Sequence, residues 1–193
     1  KRSEQAVHWL KEQGVKVIDV NLPHAKYGVS VYCIITPAEI SSNLARFDGL
    51  RFGFHDDKVE NLAEEYLANR GGGFGDEVKR RIMLGTYILS AGYHDAYYLR
   101  AQKVRSRIIE DFTHAFNQVD LLLALTALGF LFALCSQSGD PLKMYLEDYF
   151  LTPASLAGLP AVSVPAGLIG NLPFGLQIIG PKFGDLNVLA LAD

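Results

Sequence analysis

AVSVPAGLIGNLPFGLQIIG, residues 161–180, decides the fold class. Ala161-Val162-Ser163-Val164-Pro165 and Gly175-Leu176-Gln177-Ile178-Ile179-Gly180 are short apolar runs, and the link between them is rich in glycine and proline. That pattern predicts two strands joined as a hairpin. Far upstream, residues 5–13 carry Val7, Trp9 and Leu10 in a helical pattern and are followed by Gly14, a plausible helix end. Residues 15–20, VKVIDV, alternate as a strand does and stop at Asn21-Leu22-Pro23. Helix, glycine, strand and turn are the grammar of an α/β layer.

The intervening segments fit that class. Residues 27–44 open on a β-branched run that suggests a strand, but Thr36-Pro37-Ala38-Glu39 puts proline at the tolerated first position of a helix. The second half is therefore expected to be helical. A helix over 59–69 with Glu64 and Glu65 outward should close on the Gly71-Gly72-Gly73 turn. Residues 76–90 read as a helix carrying Lys79, Arg80 and Arg81, with Ile82, Leu84, Ile88 and Leu89 available for packing. The longest helical pattern is 95–117. There Leu99, Val104, Ile108, Ile109 and Phe112 form an apolar face, and Arg100, Lys103, Arg105 and Arg107 should face water. Residues 142–157 look like one helix broken near Pro153.

Composition limits the function classes. With 193 residues, 49% hydrophobic and 20% charged, the chain can bury a core and is no disordered tail. Two cysteines exclude a disulfide framework, and a net charge of -3 argues against tight nucleic-acid binding through phosphates. Residues 1–120 hold 16 basic and 16 acidic side chains, whereas 121–193 hold 2 and 5 together with six of the eight prolines. No polar linker separates these regions, so they are read as two layers of one domain. The uncharged stretch 121–135, LLLALTALGFLFALC, falls short of the ~20 apolar residues a membrane helix needs and has no flanking basic cluster. A buried strand leading into an apolar loop or helix is expected. The start at Lys1-Arg2-Ser3-Glu4 is unlike a signal peptide. With no initiating methionine and a last helical run, 185–193, that barely begins, a piece of a larger protein is expected.

Generic motifs assign little. Gly71-Gly72-Gly73-Phe74-Gly75 lacks the phosphate-loop arrangement and follows a helix rather than a strand. His8, His24, His55, His94 and His114 have no ligand spacing, and Cys33 and Cys135 are far apart, so no metal site is expected. Neither Ser41 nor Ser42 sits in a nucleophile elbow; structural or capping use is the reading.

Longer segments are more specific. PAEISSNLARFDGLRFG (37–53), GFGDEVKRRIMLGTYILSAGYHDAYYLRAQKVR (73–105), DPLKMYLEDYFLTPASLAGLPAVSVPAG (140–167) and LPFGLQIIGPKF (172–183) together resemble the amidase signature superfamily, in order, over 27–193. The nearest branch is the glutaminase subunit, the A subunit, of glutamyl-tRNA(Gln)/aspartyl-tRNA(Asn) amidotransferases. The resemblance implies an α/β fold, a mixed β-sheet covered by helices, with residues 1–193 as the C-terminal part of a single amidase domain. The superfamily's Ser–Ser–Lys triad lies in a Gly/Ser-rich region and an early lysine, and no such run occurs here. No catalytic residue is therefore assigned in this chain, and alone it is expected to be inactive. The intact subunit would hydrolyse free glutamine through a serine acyl-enzyme. Its ammonia would pass to partners, subunits B and C of a heterotrimer, which amidate aminoacyl-tRNA with ATP and Mg. This chain itself would hold no cofactor. The implied location is the cytoplasm, or an organelle in a eukaryote, with no membrane contact.

The same resemblance places substrate-binding roles. The position for the arginine that binds the glutamine α-carboxylate matches Arg81 in VKRRIMLG, the acidic residue for its ammonium matches Asp148 in MYLEDYF, and a pocket tyrosine matches Tyr32 in SVYCII. The chemistry is sound: a guanidinium meets a carboxylate bidentately, and a carboxylate attracts an ammonium. Each residue also has a plain alternative. Arg81 could be a surface arginine balanced by Glu77, Asp148 a solvated neighbour of Glu147, and Tyr32 a packed tyrosine. Gln177 and Asn43, polar in apolar frames, are read as buried hydrogen-bonding positions with structural roles. Where the superfamily typically has Pro-Thr and a further proline after VDLLL, residues 124–128 carry no proline. Two other functions stay open: another hydrolase of the superfamily acting on a different amide, and a non-enzymatic interaction domain.

Overall fold

The computed structural model describes residues 2–56, 61–127 and 141–193. In chain order its elements are helices α1 (Arg2–Glu12), α2 (Gly28–Asn43), α3 (Leu62–Gly73), α4 (Asp76–Leu89) and α5 (Arg100–Phe116), strand β1 (Leu122–Leu125), helices α6 (Pro141–Glu147) and α7 (Thr152–Ala157), strands β2 (Ala161–Ile169) and β3 (Leu172–Ile179), and helix α8 (Asp185–Ala192). The chain forms two compact units, Lys1–Tyr32 with Lys103–Asp193, and Cys33–Gln102.

The first unit holds the sheet, with strand order β1-β3-β2 and both pairings antiparallel. Leu122 and Ala161 lie opposite Ile179, and Leu125 and Val164 lie opposite Leu176. The hairpin turns on Gly170-Asn171, with Ile169 opposite Leu172 and Gly170 at φ +61. The link read as a Gly- and Pro-rich connection is thus largely strand. An irregularity between Pro165 and Leu168 absorbs Gly167 at φ +108, and Pro165 sits on an outer strand, where a missing N–H is tolerated. The central strand β3 buries Leu176, Gln177, Ile178 and Ile179. Helix α8 packs on β2 and β3 through buried Val188, and Gly180 leaves the room that Val188 fills.

Three sequence readings need correction around this unit and the helix that leads into it. Residues 15–20 form no strand: Val15 and Ile18 are exposed, and no strand pairs with them. Alternation describes a half-buried strand only where a sheet edge is at hand. The preceding helix does end as read. Gly14 at φ +85 donates to Lys11 O and Val15 to Leu10 O, the paired bonds of a Schellman end. On α5 the buried stripe is Ala101, Ile108, Phe112 and Ala115, while Leu99 and Ile109 are exposed. Leu99 closes a π-helical segment, Asp95–Leu99, whose wider turn shifts it off the stripe. Arg105, expected in water, is half-buried and donates from Nε to the Leu156 carbonyl at 2.6 Å, in the last turn of α7. The break near Pro153 is present as a turn between α6 and α7. Of the apolar stretch 121–135, the first part is β1; residues 128–135 lie outside the described residues.

Helix α2 is helical from Gly28 onward, with Pro37 inside it rather than at its first position. Val29, Val31 and Ile35 are buried along it, and such burial overrides the strand preference of β-branched residues. The other departures fall in the second unit. Helix α3 starts at Leu62 and runs through all three glycines that were read as a turn. Cβ atoms at Gly72 and Gly73 would lie 3.1 and 3.2 Å from the Phe54 side chain, so glycine lets Phe54 pack closely against the end of the helix. On α4, Gly85 and Ile88 are buried, whereas Leu84 and Leu89 are exposed. A Cβ at Gly85 would collide with the Pro37 carbonyl and come within 2.7 Å of Ser41 Oγ, so α2 and α4 meet backbone to backbone there.

Loop 44–56 is pinned by polar groups. Buried Asp48 accepts from Leu50 N at 3.0 Å and from Arg51 at 3.2 Å. Buried Asn69 accepts from Asp56 N at 2.7 Å and donates to Asp48 O at 3.2 Å, and Arg70 donates to Leu44 O and Phe47 O, both at 2.9 Å. Among the described residues no helix is long and apolar enough to cross a membrane.

Candidate functional site: an arginine-bearing cavity

Helices α2 and α4 frame a cavity of about 450 Å³. Ile35, Thr36, Glu39, Ile40, Asn43 and Leu44 face it from α2 and its end; Glu77, Val78 and Arg81 face it from α4. These positions recur at i, i+4 and i+8, with their immediate neighbours, which is one stripe of a helix. A mainly apolar wall with a few charged groups, at this size, is the usual form of a small-molecule site.

The charged groups are held in place. Arg81 Nε donates to Glu77 Oε1 at 2.8 Å, and Glu77 Oε2 accepts from Arg80 Nη1. Glu77 stands in the first turn of α4, where the helix N-terminus stabilises a carboxylate. The Arg81 side chain is 24% exposed, and the pair with Glu77 that the plain reading expects stands on the cavity wall. Across the cavity, Glu39 accepts from Tyr98 OH at 2.7 Å, and Tyr98 OH in turn accepts from Gln102 Nε2 at 3.0 Å. The cavity therefore carries one guanidinium and two carboxylates.

Tyr32 and Asp148 belong to the first unit and do not line this cavity. Tyr32 is half-buried in α2. Asp148 is half-buried just after α6, and its carbonyl receives Leu151 N at 3.1 Å and Thr152 N at 2.9 Å, forming the turn into α7. Asn43 is exposed on the cavity wall rather than buried, and its carbonyl accepts from Arg46 Nε at 3.0 Å. Gln177 is buried as read, at 2% exposure, but neither atom of its amide has a hydrogen-bond partner among the described residues. Ser41 has a structural role, donating to Ala38 O at 2.9 Å. Among the described residues no group of three or more His, Cys, Asp or Glu side chains is placed to hold a metal ion. Glu39, Thr36 and Val78 were missed as site residues. The spacing of Thr36 and Glu39 is legible once 28–43 is taken as one helix, and Val78 lies beside Glu77 on α4.

Two groups have displaced protonation equilibria. The Leu50 N–H, followed by Arg51, holds the Asp48 carboxyl below its usual range, against the opposing effect of burial. A hydrogen bond with Tyr93, aided by burial, pushes Tyr87 up to about 12.

Residues 1–189 match the Amidase family, and the chain belongs to it. Within that family it is similar to the A subunit of glutamyl-tRNA(Gln) amidotransferase from Rhizorhabdus wittichii, 58% identical over 96% of this chain and 38% of that protein. The same subunit of Novosphingobium aromaticivorans is 56% identical over 96% of this chain and 38% of that protein. The crystal structure of the Thermotoga maritima counterpart matches at 41% identity and a TM-score of 0.66, over 97% of this chain and 36% of that one. The fold is thus the α/β amidase-signature fold, of which this chain forms a portion. It spans about two fifths of the length of these relatives.

Proposed function

We propose that this chain supplies the glutamine-holding part of the glutaminase, or A, subunit of a tRNA-dependent amidotransferase. It would be the C-terminal part of a single amidase domain whose catalytic serines and lysine lie outside it. The observation that carries this reading is Arg81: a half-buried guanidinium, fixed on α4 and lining a cavity of amino-acid size, in a chain closely similar to such subunits. Its planar fork would meet the α-carboxylate of glutamine and so place the distal amide for attack by a nucleophile it does not itself provide. For Asp148 as the ammonium acceptor and Tyr32 as a pocket wall, support comes from the sequence resemblance. Ammonia released by the intact protein would be used by partner subunits B and C, with ATP and Mg, on Glu-tRNA(Gln) or Asp-tRNA(Asn). The assembly would work in the cytoplasm, or in an organelle of a eukaryote.

The test is glutaminase kinetics of the full-length protein in its complex. Arg81→Ala should raise KM for glutamine by about 10- to 150-fold, the worth of a lost charge-assisted pair. An unchanged KM would contradict the reading.

A further inference from the structure

Between α1 and α2 the chain is extended, exposed and unpaired. We infer that residues 15–20 are an open strand edge that takes a β-strand from the part of the protein lying outside this chain. This rests on the reading of the chain as one part of a longer amidase domain.

The backbone there is set for pairing. Val15, Val17, Ile18 and Val20 are β-branched, and no proline interrupts the run. Among the described residues, the backbone of 16–20 makes no hydrogen bond, so its N–H and C=O groups stand ready for a neighbouring strand. Val15 and Ile18 are exposed beside them. Both ends of the segment are fixed. Upstream, Val15 N–H closes α1 on Leu10 O at 3.1 Å. Downstream, buried Asp111 of α5 grips His24 twice. Its Oδ2 accepts from the His24 backbone N–H at 2.7 Å, and its Oδ1 lies 2.9 Å from the imidazole Nδ1. A segment already extended and held at both ends loses little freedom when a second strand arrives.

Symmetry and length select the occupant. Two copies of one strand, paired antiparallel about a closed two-fold axis, set opposite each other only residues that share a face. Lys16 and Asp19 point to opposite faces, so no such register pairs them. Centring the pair on Lys16 or Asp19 brings like charges together, and centring it on Val17 or Ile18 sets both charges against aliphatic side chains. A strand from elsewhere in the same polypeptide has no such restriction, and its tether holds it near at an effective concentration of about millimolar. The relatives have the length for it: this chain matches 38% of the Rhizorhabdus wittichii protein. The occupant is therefore an extended run of alternating apolar residues within the same molecule.

Hydrogen–deuterium exchange of the full-length protein, alone and in its complex, reads the pairing. At least alternate amides among residues 16–20 should exchange about 100-fold or more slower than free peptide. Exchange at the free-peptide rate overturns the inference. A photoreactive benzophenone side chain in place of Ile18 identifies the occupant, and the expected crosslink lies within one polypeptide, to a segment outside residues 1–193. A crosslink between two copies, or protection that fades on dilution, assigns the edge to a second copy and overturns the inference. So does a crosslink to another subunit, or protection that appears only in the complex. Asp111→Ala should speed exchange of residues 16–20 by about tenfold, the worth of a lost bond to a charged group, while amides of β3 stay within about twofold. Equal acceleration of both would show that the His24 grip stabilises the whole unit rather than presenting the strand, and removes that part of the inference. Glutamine kinetics fail separately: an unchanged KM in Arg81→Ala sinks the glutamine reading and leaves the strand pairing standing.

Discussion

Replacing Gly85 by alanine probes how closely α2 and α4 approach, and through that the shape of the cavity. In an open helix interior the change would help, by about 1 kcal/mol, because alanine is the better helix former. Here the added Cβ meets the Pro37 carbonyl, an atom of the helix backbone that no rotamer change can move away, and Ser41 Oγ at 2.7 Å. Overpacking a filled contact costs about 1–3 kcal/mol, and a backbone obstacle belongs at the upper end of that range. The net expectation is a loss of about 1–2 kcal/mol, read as a fall in Tm. Gly71→Ala is the matched control. It lies in helix α3 with nothing within 4 Å of its added Cβ, so stability should rise by up to about 1 kcal/mol. Thermal unfolding of the full-length protein reads both variants. Because Gly85 lies one turn beyond Arg81 on α4, separating the helices should also raise KM for glutamine. Gly85→Ala as stable as the parent, with Gly71→Ala stabilised as expected, would refute the close contact.

Two further predictions concern protonation. The Asp48 carboxyl is depressed in the folded state, so its contribution to stability is present above its unfolded value of about 3.9 and is lost as pH falls through the folded one. The stability difference between the parent and Asp48→Asn should therefore be constant near neutral pH and shrink below about pH 4 in chemical-unfolding curves; a difference independent of pH would contradict it. Tyr87 is raised to about 12, so it should still be protonated at pH 11, and its stabilising effect should persist below about pH 10 and disappear as pH rises through 12. Tyrosinate absorbance in the parent and in Tyr93→Phe checks this: the variant should ionise earlier, and identical titrations would remove Tyr93 as the cause.

The sequence made some elements legible and hid others for physical reasons. Helices with their own stop signals, such as α1 before Gly14 and α4 after Asp76, are local events, and their bounds could be read directly. The hairpin was legible as two strands, but its reach through Pro165 and Gly167 to the turn at Gly170-Asn171 was not, because glycine and proline there signal a loop locally. Residues 15–20 and Pro37 misled because strand formation needs a neighbour and helix continuation through proline needs compensating burial, both decided by distant segments. Phe54 packs against Gly72 and Gly73 of α3 from an earlier segment that carries no local signal of that contact. At the site, the resemblance points to Arg81 and the i, i+4 spacing points to Glu77 as its partner. The structure puts both on one cavity wall. Glu39 and Thr36 escaped notice because their stripe appears only when α2 is helical throughout.

The central claim is that Arg81 recognises the α-carboxylate of the substrate. The most direct measurement compares glutamine with 4-aminobutanamide, which is glutamine without that carboxylate, in the full-length complex carrying either arginine or alanine at this position. The account predicts that the parent prefers glutamine strongly in kcat/KM, and that Arg81→Ala loses this preference by lowering the rate on glutamine while leaving 4-aminobutanamide nearly untouched. A variant that loses the same factor on both substrates, or on neither, would contradict it.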